Sequence, residues 1–154
     1  MLIETTRFGP VEIAEDSMLS MPDGMLGLSG LRRYVLLEDR PNTPFKWLQS
    51  VENPAMAFIV INPVAVFPDY EIDLTDEQAD SLDLKDPSEA IVLTTVTVSG
   101  EDSSVTTNLL GPIVINSRTL QARQIILQDD RYCTKHEMAE SPVIQAESVR
   151  MKAA

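Results

Sequence analysis

The chain has one cysteine, Cys133, and one histidine, His136, among 154 residues. A single thiol excludes an internal disulfide framework and fits a reducing compartment. One imidazole three residues from the sole thiol, near the chain end, does not supply the geometry of a Cys/His nucleophile pair. Basic residues are scarce as well: 12 Lys and Arg face 24 Asp and Glu, a formal net charge of -12. That balance argues against binding a phosphate backbone, which needs a Lys/Arg-rich surface. No apolar run approaches the ~20 residues of a membrane span. The opening MLIETTRFG lacks the basic-then-apolar order of a secretory signal. Phosphate loops, dinucleotide fingerprints, HExxH and CxxC are all missing, and the acids lack calcium-loop spacing. The expectation is a cytoplasmic, non-enzymatic chain with no catalytic residues, no cofactor, no metal, no direct nucleic-acid contact and no membrane contact.

What the sequence does contain is ordinary globular composition, 44% hydrophobic and 23% charged, at a length of about one domain. The acids are unevenly spread. Between Val64 and Val105 stand Asp69, Glu71, Asp73, Asp76, Glu77, Asp80, Asp83, Asp86, Glu89, Glu101 and Asp102, against Lys85 alone. Such a block is either a solvated face or the contact surface for a basic partner.

Alternation and turn chemistry predict many short strands. Leu2 to Thr6 and Val11 to Ala14 flank a turn at Phe8-Gly9-Pro10. Met18 to Met21, Tyr34 to Leu37, Phe45 to Val51 and Met56 to Ile61 follow, with a single helical turn within Gly27 to Arg33 and loops at Arg40 to Pro44 and Glu52 to Pro54. After Ile61 the stretch NPVAVFPDYEIDL carries two prolines and cannot be one central strand. It reads as a projecting loop and then an amphipathic edge strand, with Tyr70, Ile72 and Leu74 opposite Glu71 and Asp73. Thr75 to Leu82 is the helix, with Thr75 and Gln78 spaced as a capping box. Ala90 to Val98 is β-branched and suits a central strand. Beyond a turn at Gly100 to Ser104 come strands at Val105 to Asn108, Ile113 to Asn116 and Ala122 to Leu127. The fold class is mainly β: a single-domain antiparallel small barrel-like or sandwich fold with one short helix. Residues 1–136 form the β domain, and 137–154 a tail whose segment Pro142 to Arg150 is a short, fraying helix.

Several segments together resemble the flagellar assembly factor FliW family. They are Phe8-Gly9, Pro22-Asp23-Gly24-Met25-x-Gly27, and Phe45-x-Trp47-Leu48-Gln49-Ser50-Val51-Glu52-Asn53-Pro54. Ala57-Phe58, Phe67-Pro68-Asp69-Tyr70-Glu71, Asn108-Leu109-Leu110-Gly111-Pro112-Ile113-Val114-Ile115-Asn116 and Tyr132-x-Thr134-Lys135-His136 complete the set. Each is short, but they run in order to about His136. Gly111 stands where Ala is usual in the family, which is expected to loosen a close-packed strand junction. The resemblance does not extend to the tail after Met138, whose role it leaves open. The resemblance implies a small cytoplasmic β protein that binds flagellin and the RNA-binding translational regulator CsrA. It implies non-competitive antagonism of CsrA, relieving repression of flagellin translation. The partner-binding residues expected on this basis are Asn53, Pro54, Phe67, Pro68, Asp69, Tyr70, Glu71, Asn108, Leu110, Pro112 and Asn116. Within the loop, Tyr70 is expected to face the partner and Phe67 the core. Two other readings stand beside this one: an acidic β scaffold with no regulatory role, and a small hydrolase using Asp69 or Glu71 with His136.

Overall fold

Apolar alternation along the chain is resolved into paired strands in a computed structural model that describes residues 1–38, 43–99 and 104–138. Strands β1 (Leu2–Thr5) and β2 (Gly9–Glu12) form a separate antiparallel ribbon in which Ile3 opposes Val11. Next come β3 (Leu19–Ser20), β4 (Arg33–Leu37), β5 (Phe45–Ser50) and β6 (Ala57–Ile61). Helix α1 (Asp76–Ser81) precedes β7 (Ala90–Val98), β8 (Val105–Thr107), β9 (Ile113–Asn116), β10 (Ala122–Gln124) and β11 (His136–Glu137). The main sheet runs β10-β9-β7-β6-β5-β4-β3, with β8 on β7 and β11 on β8, and every ladder is antiparallel.

The sheet curls until its two ends meet. Ser20 N–H donates to the Leu120 carbonyl at 2.9 Å, and Ser20 and Gln121 form one isolated parallel bridge. One bridge is not a ladder, so the sheet is not closed into a true barrel. Inside the curl lie Met21, Tyr34, Leu48, Val60, Ile113 and Ala122, none with measurable exposure. The β1–β2 ribbon covers the other side of β4, where Ile3 and Ile13 meet Val35. On β5 the same side is covered by Phe8, edge-on to Trp47, and by the cluster of Ile61, Val96, Val105 and Met138 around Phe45, so that strand is buried at every position except Lys46.

The mainly β, one-helix architecture is the expected one, and α1 starts as its spacing predicts. Thr75 Oγ1 accepts from Gln78 N–H at 3.1 Å while Gln78 Oε1 accepts from Thr75 N–H at 2.9 Å. Three local readings need correction. Residues 27–33 form turns and a Met25–Leu28 bridge instead of a helical turn, because Gly24 and Gly27 take left-handed φ of +66° and +82°. Residues 70–74 keep the expected alternation of burial but pair with no strand among the described residues. The predicted break at Glu137 falls inside β11, and Met138 is buried behind it. The predicted loop at Arg40 and turn at Gly100 fall largely outside the described residues, and the Pro142 to Arg150 helix falls wholly outside them. Among the described residues no helix is long and apolar enough to cross a membrane.

The two glycines give a paired prediction. A Cβ on Gly24 would run into the Leu28 carbonyl oxygen and lie 2.8 Å from Ser29 Cα, whereas one on Gly27 meets nothing within 4 Å. Gly27→Ala is expected to lose only the ~1–2 kcal/mol of a left-handed backbone. Gly24→Ala adds a backbone clash and should lose more, on the order of 3 kcal/mol; urea denaturation of both variants compares them.

Candidate partner-binding surface

The loop after β6 is built from the ends inward. Asn62 Oδ1 accepts from Val64 N–H at 3.2 Å and starts a 3-10 turn over Pro63–Ala65. Pro63 carbonyl accepts from Phe67 N–H at 2.8 Å, and Phe67 carbonyl from Tyr70 N–H at 2.9 Å. These bonds close the loop on itself and leave Pro68 and Asp69 exposed at its tip. Phe67 is half-buried. Its ring stands edge-on to His136 at 4.9 Å, against the cluster of Phe45, Ile61, Val96, Val105 and Met138.

Tyr70 points inward. Its ring is buried and tilted against Tyr132 at 4.7 Å, and its hydroxyl donates to the Leu109 carbonyl at 2.7 Å. Burial, then the neighbouring Tyr132 and Asp129, push the Tyr70 hydroxyl well above the ordinary phenol range. It therefore stays a neutral donor. The expectation of a partner-facing Tyr70 is corrected here: the hydroxyl that suited a half-wet contact is spent on a buried carbonyl. Tyr132 in turn accepts from Glu71 N–H at 3.1 Å, which directs Glu71 outward.

The segment between β8 and β9 supplies the other wall. Asn108 Oδ1 accepts from the N–H groups of Leu110 and Gly111, at 3.1 and 2.8 Å. Leu109 N–H donates to the Cys133 carbonyl at 3.1 Å. Leu110 is half-buried and Pro112 buried, their carbonyls accepting from Leu127 and Ile125 N–H. The junction at Gly111 is tight, not loosened: a Cβ there would lie 3.0 Å from Asn108 Nδ2 and 3.1 Å from Gln124 Nε2. Beyond Tyr132, Arg131 lies over the Tyr132 ring at 5.1 Å and grips Asp129 at 2.8 Å, which holds the Asp129 carboxyl below its usual range.

Phe67, Pro68, Asp69, Tyr70, Glu71, Asn108, Leu110 and Pro112 thus belong to one assembly of three segments, joined through Tyr70, Leu109 and Tyr132. Its exposed part is Pro68, Asp69 and Glu71 with Asp130, Arg131 and Lys135. Asn53 and Pro54 sit elsewhere. Asn53 Oδ1 accepts from Ala55 N–H at 3.0 Å, and the Pro54 carbonyl accepts from Thr6 N–H at 2.9 Å. Pro54 lines a second hollow with Trp47, over whose ring Arg7 lies at 4.1 Å. Asn116 has no exposure. Its Nδ2 donates to the Leu82 and Asp83 carbonyls, and its Oδ1 accepts from Arg118 and Thr119 N–H. It ties α1 to β9, its amide used wholly inside the fold. His136 makes no hydrogen bond to Asp69 or Glu71 among the described residues; its Nδ1 lies 3.9 Å from Cys133 Sγ. Tyr132 and Arg131 join this assembly without having been among the expected residues. Tyr132 belongs to the segment Tyr132-x-Thr134-Lys135-His136, but its partners Glu71 and Tyr70 are 61 and 62 residues away in sequence.

Tyr70→Phe removes one buried hydrogen bond and leaves the Leu109 carbonyl unpaired, an expected loss of ~1–3 kcal/mol in a urea melt. Asp69→Lys at the exposed tip should stay within ~0.5 kcal/mol of the unmodified chain. Equal losses from the two would contradict the inward placement of Tyr70.

Comparison with known proteins converges on one family. The family model described as FliW protein matches residues 2–138. A flagellar assembly factor FliW of Geobacter sulfurreducens is 43% identical over 136 residues, covering 88% of this chain and 85% of the relative. One from Geotalea uraniireducens is 43% identical over 141 residues, covering 92% and 86%. Among solved structures, the crystal structure of the flagellar assembly factor FliW matches with a TM-score of 0.83 at 34% identity, covering 92% of this chain and 99% of that one. The same arrangement of strands, carried by a sequence this similar over nearly its full described length, means that the chain belongs to the FliW family.

Proposed function

We propose that this chain is a flagellar assembly factor that binds flagellin and the translational regulator CsrA in the cytoplasm. It antagonises CsrA without competing for RNA, and so relieves repression of flagellin translation. The role is regulatory and chaperone-like, not enzymatic. Family membership supports the first step of this reading, since the relatives are flagellar assembly factors by name. The observation that carries the rest is the acidic loop, where Asp69, Glu71 and Asp73 are exposed on a backbone pinned from below by Tyr70. A basic RNA-binding protein is the kind of partner that such a surface steers towards itself. The pinned loop loses little freedom on binding, which favours affinity.

The charge argument makes a kinetic prediction. Reversing Asp69 and Glu71 to Lys together should slow association with purified CsrA by ~tenfold at low salt. The difference should shrink as salt rises, and the melting temperature should not move. An association rate indifferent both to salt and to the reversal would leave the acidic block as a merely solubilising face. The mode of antagonism is read from CsrA–RNA affinity at rising concentrations of this protein. A plateau, with a ternary complex present, is expected of coupling between separate sites. Affinity that falls without limit would mean direct competition.

A further inference from the structure

Strand β7 is longer than the strands that pair with it, and one of its edges is left open. Ser117 N–H donates to the Glu89 carbonyl and Asn108 N–H to the Thr95 carbonyl. Backbone groups alternate sides along a strand, so the odd-numbered residues of β7 address β9 and β8. The even-numbered residues address β6, as the Ile61–Thr94 and Ile59–Val96 pairs require. But β6 ends at Ile61, and the Pro63–Ala65 turn that follows stays beside β7 without pairing with it. Ala90 N–H is taken by the Pro87 carbonyl. The Ala90 carbonyl and both backbone groups of Val92 therefore face an edge at which no strand pairs among the described residues.

Beside that edge lies a cleft of about 390 Å³ lined by Ile72, Leu74, Ala79, Leu84, Ala90 and Val92. Its far wall, Ile72 to Leu74, alternates half-buried and exposed side chains as an extended chain does, yet its backbone makes no hydrogen bond among the described residues. Two unpaired stretches of backbone thus flank an apolar floor. Three charged side chains line the cleft, Asp73, Lys85 and Asp86, and the acids Asp76, Glu77 and Asp80 are exposed on the helix that supplies Ala79, with Lys85 as the one cation in the run from 72 to 92. Arg118 does not neutralise them, being held by Asp83 and Glu89.

We propose that this cleft is a strand-addition site for an extended peptide segment in which Lys or Arg alternates with aliphatic residues. The peptide backbone pairs with Val92 and the Ala90 carbonyl, its apolar side chains fill the cleft, and its cations meet the rim. Main-chain bonds supply affinity in this mode, and alternate side-chain pockets supply selectivity. Charge complementarity selects the occupant: an apolar segment with acidic flanks would meet Asp73 and Asp86 at the cleft, with Asp76, Glu77 and Asp80 on the adjoining helix, against Lys85 alone. The inference rests on the proposed function only in taking a basic protein as the visitor to this side of the molecule.

The test uses the full chain and short synthetic peptides alternating Lys or Arg with Val, Ile or Leu, beside counterparts carrying Glu. Amide exchange of Val92 is followed by nuclear magnetic resonance. The basic peptides are expected to slow Val92 exchange by ~tenfold or more at saturation, and the acidic ones to leave it unchanged. Ala79→Lys places a like charge in the cleft at a position a helix tolerates, and should weaken peptide binding ~tenfold with an unchanged melting temperature. Asp73→Lys is the second variant, with the same direction expected. The proposal is overturned if no basic peptide protects Val92, if both variants bind as tightly as the unmodified chain, or if Val92 becomes protected by raising this protein's own concentration without peptide. Peptide binding without CsrA binding would remove the named partner and keep the cleft. CsrA binding that leaves Val92 unprotected, with no peptide bound, would do the reverse.

Discussion

The Tyr70 hydroxyl gives its proton to the Leu109 carbonyl at 2.7 Å, in a place from which solvent is almost wholly excluded. Neither group has water to fall back on, so leaving either unmade carries the full desolvation penalty. The bond fixes the loop after β6 against the segment between β8 and β9. Through the ring contact with Tyr132 it also fixes the stretch that leads into β11. The exposed carboxylates of Asp69 and Glu71 are presented from this scaffold. Their positions are set by what lies beneath them, not by contacts of their own.

The same economy of pairing shapes the rest of the sheet. β7 serves β9 along its first half, and β6 and β8 along its second. A strand that long beside short neighbours has more backbone groups than its neighbours can satisfy. The acidic helix and turns that follow the loop form the other side of a cleft beside that end, capped by Thr75 at one point and by Asp86 at the next. Edge strands usually need protection from unwanted pairing. Here exposed Asp73 and Asp86 stand beside the unpaired end and disfavour the approach of acidic strands.

Much of the fold was legible because its causes are local. The Thr75–Gln78 cap needs residues three apart, and β7 needs only a run of β-branched side chains. The alternation from Tyr70 to Leu74 correctly set Ile72 and Leu74 apart from Glu71 and Asp73, although Tyr70, expected to face a partner, is buried with them. It failed on pairing, because a period of two describes an extended chain whether or not a neighbour is there. The candidate site was less legible. Tyr70 meets Leu109 39 residues away and Tyr132 further still, so nothing beside Tyr70 in sequence says that its hydroxyl is used internally. Asn116 has the composition of a surface residue and the environment of a core one, since four main-chain groups at the end of α1 and the β9–β10 turn converge on its amide. β11 has two residues, too few for any period to show.

The central claim is that partners meet this protein on the acidic face assembled around Tyr70. Hydrogen-exchange mass spectrometry of the full chain, alone and saturated with purified CsrA and separately with flagellin, addresses it most directly. Protection by at least one of the two is expected in peptides covering residues 62–74 and 129–137. Protection confined to the β1–β2 ribbon and the Trp47 hollow, with the loop around Tyr70 unchanged in both complexes, would contradict the account.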